Sequence, residues 1–351
     1  MEKHNLIYEA LDRAFESLPT EDILNCNIDS ARIIIFSDHH RGKRDGADDF
    51  QTCEDTYCTA LKYYFENDYT LIILGDAEDL WECRHGPVLR KYEETLKLEA
   101  KFYLNNDKQY FRIYGNHDDY WEETGFININ GTKIPVKEKM LIRFQDDNSN
   151  SIGDIFLVHG HQGYRFKKLS KFVVRYLWRP IQRITRIPST TPAKDSTLRG
   201  ELNLALHNWA FNKNKEQKKL LLIAGHTHHP VFASRDHTGK IVDELKIIEE
   251  NYNNAIKSGN PNTDDITVEL ASKRVLLESL RERERLKENQ NGISMDKPCY
   301  FNTGCCSYSD GDITGIEIVR GEIKLIKWSF DKLQSEVKEY ADLRKEIFSK
   351  L

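Results

Sequence analysis

No run of apolar residues in this sequence approaches the roughly 20 needed to cross a bilayer as a helix. No CxxC pair occurs among the seven cysteines, Cys26, Cys53, Cys58, Cys83, Cys299, Cys305 and Cys306. Their odd number and scatter argue against a disulfide framework and for a reduced, cytoplasmic chain. Positive charge is not in excess: the formal net charge is -5, so the chain as a whole carries no signature of a nucleic-acid binder. The opening stretch, MEKHNLIYEALDRAFESL, has no apolar core, and reads as an amphipathic helix rather than a signal peptide. No internal repeat is visible. What is present is a globular balance, 39% hydrophobic and 30% charged over 351 residues. That suffices for one large α/β domain with insertions, or two small domains.

Five short runs of branched apolar residues each stop at a polar cluster. They are RIIIFSDHHRG (32–42), YTLIILGDAEDLW (69–81), QYFRIYGNHDD (109–119), DIFLVHGHQG (154–163) and KLLLIAGHTHH (219–229). Continuous runs of this kind suit strands buried on both faces. DTYCTALKYYFEN and RKYEETLKLEAKFYL carry apolar residues at helical spacing between them, so the alternation predicts an α/β fold. DITGIEIVRGEIKLIKWSF alternates apolar and polar residues about Arg320-Gly321, as a hairpin does. The expected organisation is an N-terminal helix over 1–30, a main domain over 31–330 and a charged C-terminal helix over 331–351. Two insertions interrupt the main domain, a basic helical segment at about 164–215 and a helical hairpin at about 236–297.

In open α/β sheets, ligands bind beyond the carboxyl ends of strands. The five clusters would deliver Asp38, His40, Asp76, Asn116, His159, His226 and His228 to such ends. Buried carboxylates and imidazoles in that number are costly unless paired or bound to metal. Mixed oxygen and nitrogen donors favour transition metals. The ordered motifs DHH, GDAED, GNHD, HGH and GHTH resemble the calcineurin-like metallophosphoesterase superfamily. YFNTGCCSYSDGDITGIEI (300–318) resembles the strands that close its second sheet. The fold this resemblance implies is a two-sheet β-sandwich flanked by helices, with two divalent ions at the sheet ends, manganese first, iron or zinc as alternatives. It implies that Asp38, His40 and His228 hold one ion, Asn116, His159 and His226 the other, and that Asp76 bridges them. It also implies that His117 is the general acid, oriented by Asp79. Asp118 is read as capping the following turn, His39 as lying behind the ligands or exposed, and His161 as structural or as a contact to substrate phosphate.

GDAEDLWE, GHTHHPVF and the place of the first insertion look most like the UDP-2,3-diacylglucosamine hydrolase branch. There, His117 stands where that branch carries Arg. The first insertion sets Lys168, Lys171, Arg175, Arg179, Arg183 and Arg186 on one helical stripe, with Arg165 before it. Arg165, Lys168, Arg175 and Arg179 are thus candidate contacts to an anionic phosphorylated substrate, or the stripe rests on an anionic membrane surface at the cytoplasmic face. The expected activity is hydrolysis of a phosphoester or pyrophosphate, on a sugar-nucleotide or lipid-linked substrate. A nuclease or cyclic-nucleotide phosphodiesterase is the alternative, with nucleic acid the less favoured partner.

Overall fold

A computed structural model describes residues 2–163, 196–216, 218–235, 237–258, 263–285 and 297–351. Two sheets face one another. The larger runs β13 (Gln334–Asp342), β12 (Glu322–Ser329), β11 (Ile313–Val319), β2 (Arg32–Phe36), β3 (Thr70–Leu74), β4 (Tyr110–Ile113), β6 (Thr132–Lys137) and β5 (Phe126–Ile129). The smaller runs β1 (Ile23–Asn27), β7 (Lys139–Gln145), β8 (Ser151–Val158), β9 (Leu220–Ala224) and β10 (Tyr300–Asn302). Strands β2, β3 and β4 are parallel neighbours, as are β8 and β9, so their carboxyl ends leave the sandwich on common edges. This is the two-sheet α/β architecture that the sequence predicts.

The period-two geometry of strands explains why the apolar runs are unbroken. Ile33, Ile35, Ile72, Leu74 and Ile113 point inward against Ile142, Ile155, Leu157, Leu221 and Ile223 of the facing sheet. Their neighbours Ile34, Phe36, Leu71 and Ile73 point outward, under helices Glu54–Glu66 and Glu93–Asn105. On the other side, Leu141, Phe156, Leu220 and Leu222 are covered by helices Glu2–Glu16 and Ser196–Lys215. Each central strand is therefore buried on both faces.

Two expectations are corrected. The C-terminal stretch is not a helix: Gln334–Asp342 is an edge strand paired antiparallel to β12, followed by a π turn, Leu343–Ile347. Its charges suited an exposed helix equally well, but β12 would otherwise present an open edge, and tertiary pairing overrides a weak local preference. Residues 1–30 hold more than a helix, because β1 adds itself parallel to β7. The part of the first insertion described, Ser196–Lys215, packs against the smaller sheet. It buries Leu202, Ala205, Leu206, Trp209 and Ala210 at helical spacing. Arg165, Lys168, Arg175 and Arg179 lie outside the described residues. The second insertion is a hairpin of helices His237–Ser258 and Thr263–Arg285, packed through Ile241, Leu245, Ile248, Leu270 and Leu277. Among the described residues, no helix is long and apolar enough to cross a membrane.

Candidate metal centre

The loops after β2, β3, β4, β8 and β9 converge where the two sheets meet. Hydrogen bonding continues beyond the strands: the Asp38 and His40 amides donate to the Gly75 and Asp76 carbonyls at 3.0 and 2.9 Å. Gly225 donates to the His159 carbonyl at 3.0 Å. Asp38, His40, Asp76, His226 and His228 all have positive φ, between 52° and 67°. Non-glycine residues rarely adopt this region, and five in one site mark backbone held to aim side chains. Gly115 is required by crowding, since a side chain there would meet the Asp76 carboxylate and the His159 ring.

Two groups of donors result. Asp38, His40 and His228 form one, and Asp76, His159 and His226 the other. His228 Nε2 lies 3.2 Å from Asp38 Oδ1, and His159 Nε2 lies 3.1 Å from Asp76 Oδ2. The same Asp76 oxygen is 3.9 Å from His40 Nε2, so it stands between the groups. The other Asp76 oxygen accepts the His117 amide at 2.7 Å. His159 Nδ1 is fixed on the Leu74 carbonyl at 2.9 Å, which leaves Nε2 to face the carboxylates. Asn116 is buried beside them. Asn116 Oδ1 and His226 Nε2 are buried without a hydrogen-bond partner. Buried polar atoms normally find partners, so two such atoms in one cluster fit an ion that completes them.

A third group, His40, Asp79 and His117, overlaps the first. His117 Nδ1 is 3.1 Å from Asp79 Oδ1, and its ring stacks on Trp81 at 4.5 Å. Both contacts restrain the imidazole and leave Nε2 as its working atom. Asp118 does not cap the next turn with its side chain. Fully buried, it accepts from the amides of Gly115 (2.6 Å), Ala77 (2.9 Å) and Asp76 (3.2 Å), clasping the β3 and β4 loops together. His39 is fully buried, edge-on to Tyr57 at 4.6 Å. His161 stands 5.5 Å ring to ring from His159.

The sequence reading missed what supports these loops. Ser307 donates to the Asp38 carbonyl and Tyr308 to that of His228, at 2.9 and 3.1 Å. Beneath the β2 and β3 loops, Arg41, Glu78, Glu99 and Arg112 form a fully buried ion-pair cluster. The available signal was a charged residue inside each of two loop motifs, next to His40 and Asp79.

Burial alone would lower the His40 and His159 imidazoles, but the Asp38 and Asp76 carboxylates outweigh it and push them up to about 10 and about 9. Burial would likewise raise Asp38 and Asp76, yet the surrounding imidazoles hold both well below the usual range. His226 and His228 are pushed down by burial. His40 Nε2 and His228 Nε2 lie 2.9 Å apart. The raised imidazoles contribute stability fully present below about pH 6.5 and lost as pH rises through about 9 to 10. The lowered imidazoles contribute stability present above that same value and lost below it. The metal-free protein is accordingly expected to melt highest near neutrality and progressively lower towards pH 10. Divalent ions need unprotonated imidazoles, so the rise in Tm caused by manganese should grow over that interval. Thermal melts with chelator and with manganese at several pH values check this; a manganese effect that shrinks with pH contradicts it.

The family model described as Calcineurin-like phosphoesterase matches residues 31–254. None of the curated proteins matches the chain. Among solved structures, the chain is similar to Vacuolar Protein Sorting 29 from Cryptosporidium parvum, at 9% identity and a TM-score of 0.35. That likeness covers 89% of this chain and 98% of that one.

Proposed function

The chain belongs to the calcineurin-like phosphoesterase family, and from that premise we propose that it hydrolyses a phosphoester or phosphoanhydride bond with two divalent ions. Asp38, His40 and His228 would hold one ion, Asn116, His159 and His226 the second, with Asp76 shared. The observation that carries this reading is the buried cluster of Asp76, His159 and His226, in which Asn116 Oδ1 and His226 Nε2 have no hydrogen-bond partner. Four imidazoles among the donors favour manganese, iron or zinc over magnesium. When bound, such ions lower the pKa of water to near neutrality and neutralise charge on phosphoryl oxygens.

The remaining work belongs to side chains. His117 Nε2 gives a proton to the departing oxygen, which an alkoxide or sugar leaving group requires and an activated phenolate does not. Asp79, 3.1 Å from Nδ1, orients the ring and fixes its tautomer. The stacked Trp81 ring keeps the imidazole in plane. Asp118 holds the His117 and Asp76 loops in register through three amide hydrogen bonds.

His117→Ala is expected to lower kcat by roughly 100-fold on an alkyl phosphoester and by much less on a p-nitrophenyl ester. Equal losses on both would remove the acid role. Absence of any turnover by the manganese-loaded wild type on aryl monoesters, diesters and sugar-nucleotides would overturn the activity itself.

A further inference from the structure

Between helix Glu2–Glu16 and the metal loops lies a cavity of about 490 Å³. It reaches Asn116 and His161 at one end, and its far wall is made by Ala10, Arg13 and Ala14 of the helix. That helix lies outside the residues matched by the family model, yet it is tightly seated. Gly163, four residues after His159, has a φ of +81°, and a side chain there would run into the backbone of Leu6 and Ile7 at 2.6 Å. Trp209 donates to Asp12 at 2.8 Å, and Phe15 packs edge-on to Phe156 at 5.2 Å. The wall is thus part of the rigid fold.

We propose that this cavity receives the leaving group of the substrate and that this group is a hydrogen-bonding ring, a sugar or a nucleoside. The inference rests on the phosphoesterase reading and adds the substrate class to it. Three observations carry it. The cavity opens onto Asn116 and onto Trp81, whose ring stacks on His117. Asn116 adjoins His117 in the chain, so the lining begins one residue from the proposed acid. The volume falls within the roughly 300–1,000 Å³ of small-molecule sites and accommodates one or two rings.

The lining decides the chemistry. The Trp81 and Tyr114 rings offer apolar planes, while Glu122 and Glu138 offer acceptors and Arg13 and Lys139 donors. With Asp119 also present, carboxylates outnumber cations, which disfavours a second phosphate in this space. An acyl chain would strip water from those carboxylates without replacing its hydrogen bonds. A ring bearing hydroxyls satisfies both signs and stacks on the aromatic planes.

Calorimetry on the manganese-loaded full chain tests this with probes that lack phosphate, uridine and methyl glucoside. At least one is expected to bind saturably below about 10 mM, and Ala10→Phe, which fills the cavity, to weaken it at least about tenfold. Glu122→Ala, at an exposed position of the lining, provides a second variant. Inorganic phosphate, which reads the metal loops, should bind both variants as it binds wild type. Failure of both probes to bind, or binding that neither variant weakens, overturns the proposal. If phosphate itself does not bind and no ester is turned over, the phosphoesterase reading fails, and the two ring probes still decide the cavity.

Discussion

Asp76→Asn is expected to abolish retention of at least one divalent ion and to lower turnover by about 1,000-fold or more, on the order of 4 kcal/mol of barrier. The substitution keeps the shape of the side chain and changes its charge and one donor. In the wild type, one carboxylate oxygen accepts the His117 amide at 2.7 Å while the other faces His159 Nε2 at 3.1 Å and His40 Nε2 at 3.9 Å. An asparagine can present its single carbonyl to only one of these sides, and its NH₂ then opposes a donor or an ion on the other. The negative charge that holds His159 up at about 9 is lost as well. Metal analysis of the purified variant, beside its activity and its circular dichroism, separates this effect from misfolding. Wild-type metal content with full turnover would exclude Asp76 as the shared ligand.

Glu99→Gln is expected to cost about 3–5 kcal/mol of folding stability, a fall in Tm on the order of 10 °C. Glu99 is fully buried and bonds the Arg41 guanidinium, Arg112 at 3.3 Å, and the hydroxyls of Tyr57 and Tyr110 at 3.0 and 2.5 Å. Burial would raise its carboxyl, but Arg41 and then Arg112 hold it below the usual range. Removing its charge leaves two buried guanidiniums facing Glu78 alone. Adding Arg41→Met removes the second member of that pair and keeps Glu78 bidentate on Arg112 at 2.7 and 2.9 Å. The double variant should therefore be clearly more stable than the sum of the two single losses predicts. Since Arg41 adjoins His40 and Glu78 adjoins Asp79, kcat should fall with Glu99→Gln even at temperatures where the fold persists. Additive losses in the melts would show that the four charges do not act as a unit.

The motif residues were legible because their chemistry is local. Carboxylate, amide and imidazole types directly after an apolar strand announce a strand-end site whatever the strands then do. The unbroken runs of isoleucine and leucine likewise announced strands covered on both faces. The C-terminal strand was not legible in the same way. QSEVKEYAD has the charge density of a surface helix, and only the open edge of β12 selects the extended form.

Sequence alone therefore determined which residue types could meet a metal and in what order the strands would carry them, because both depend on neighbours in the chain. Only the tertiary structure decided that Asp118 clasps two loops, that Glu99 answers two arginines from other elements, and that the first helix walls the cavity beside Asn116. Each of those contacts joins residues on different turns or elements, and no local propensity encodes a distance across the fold.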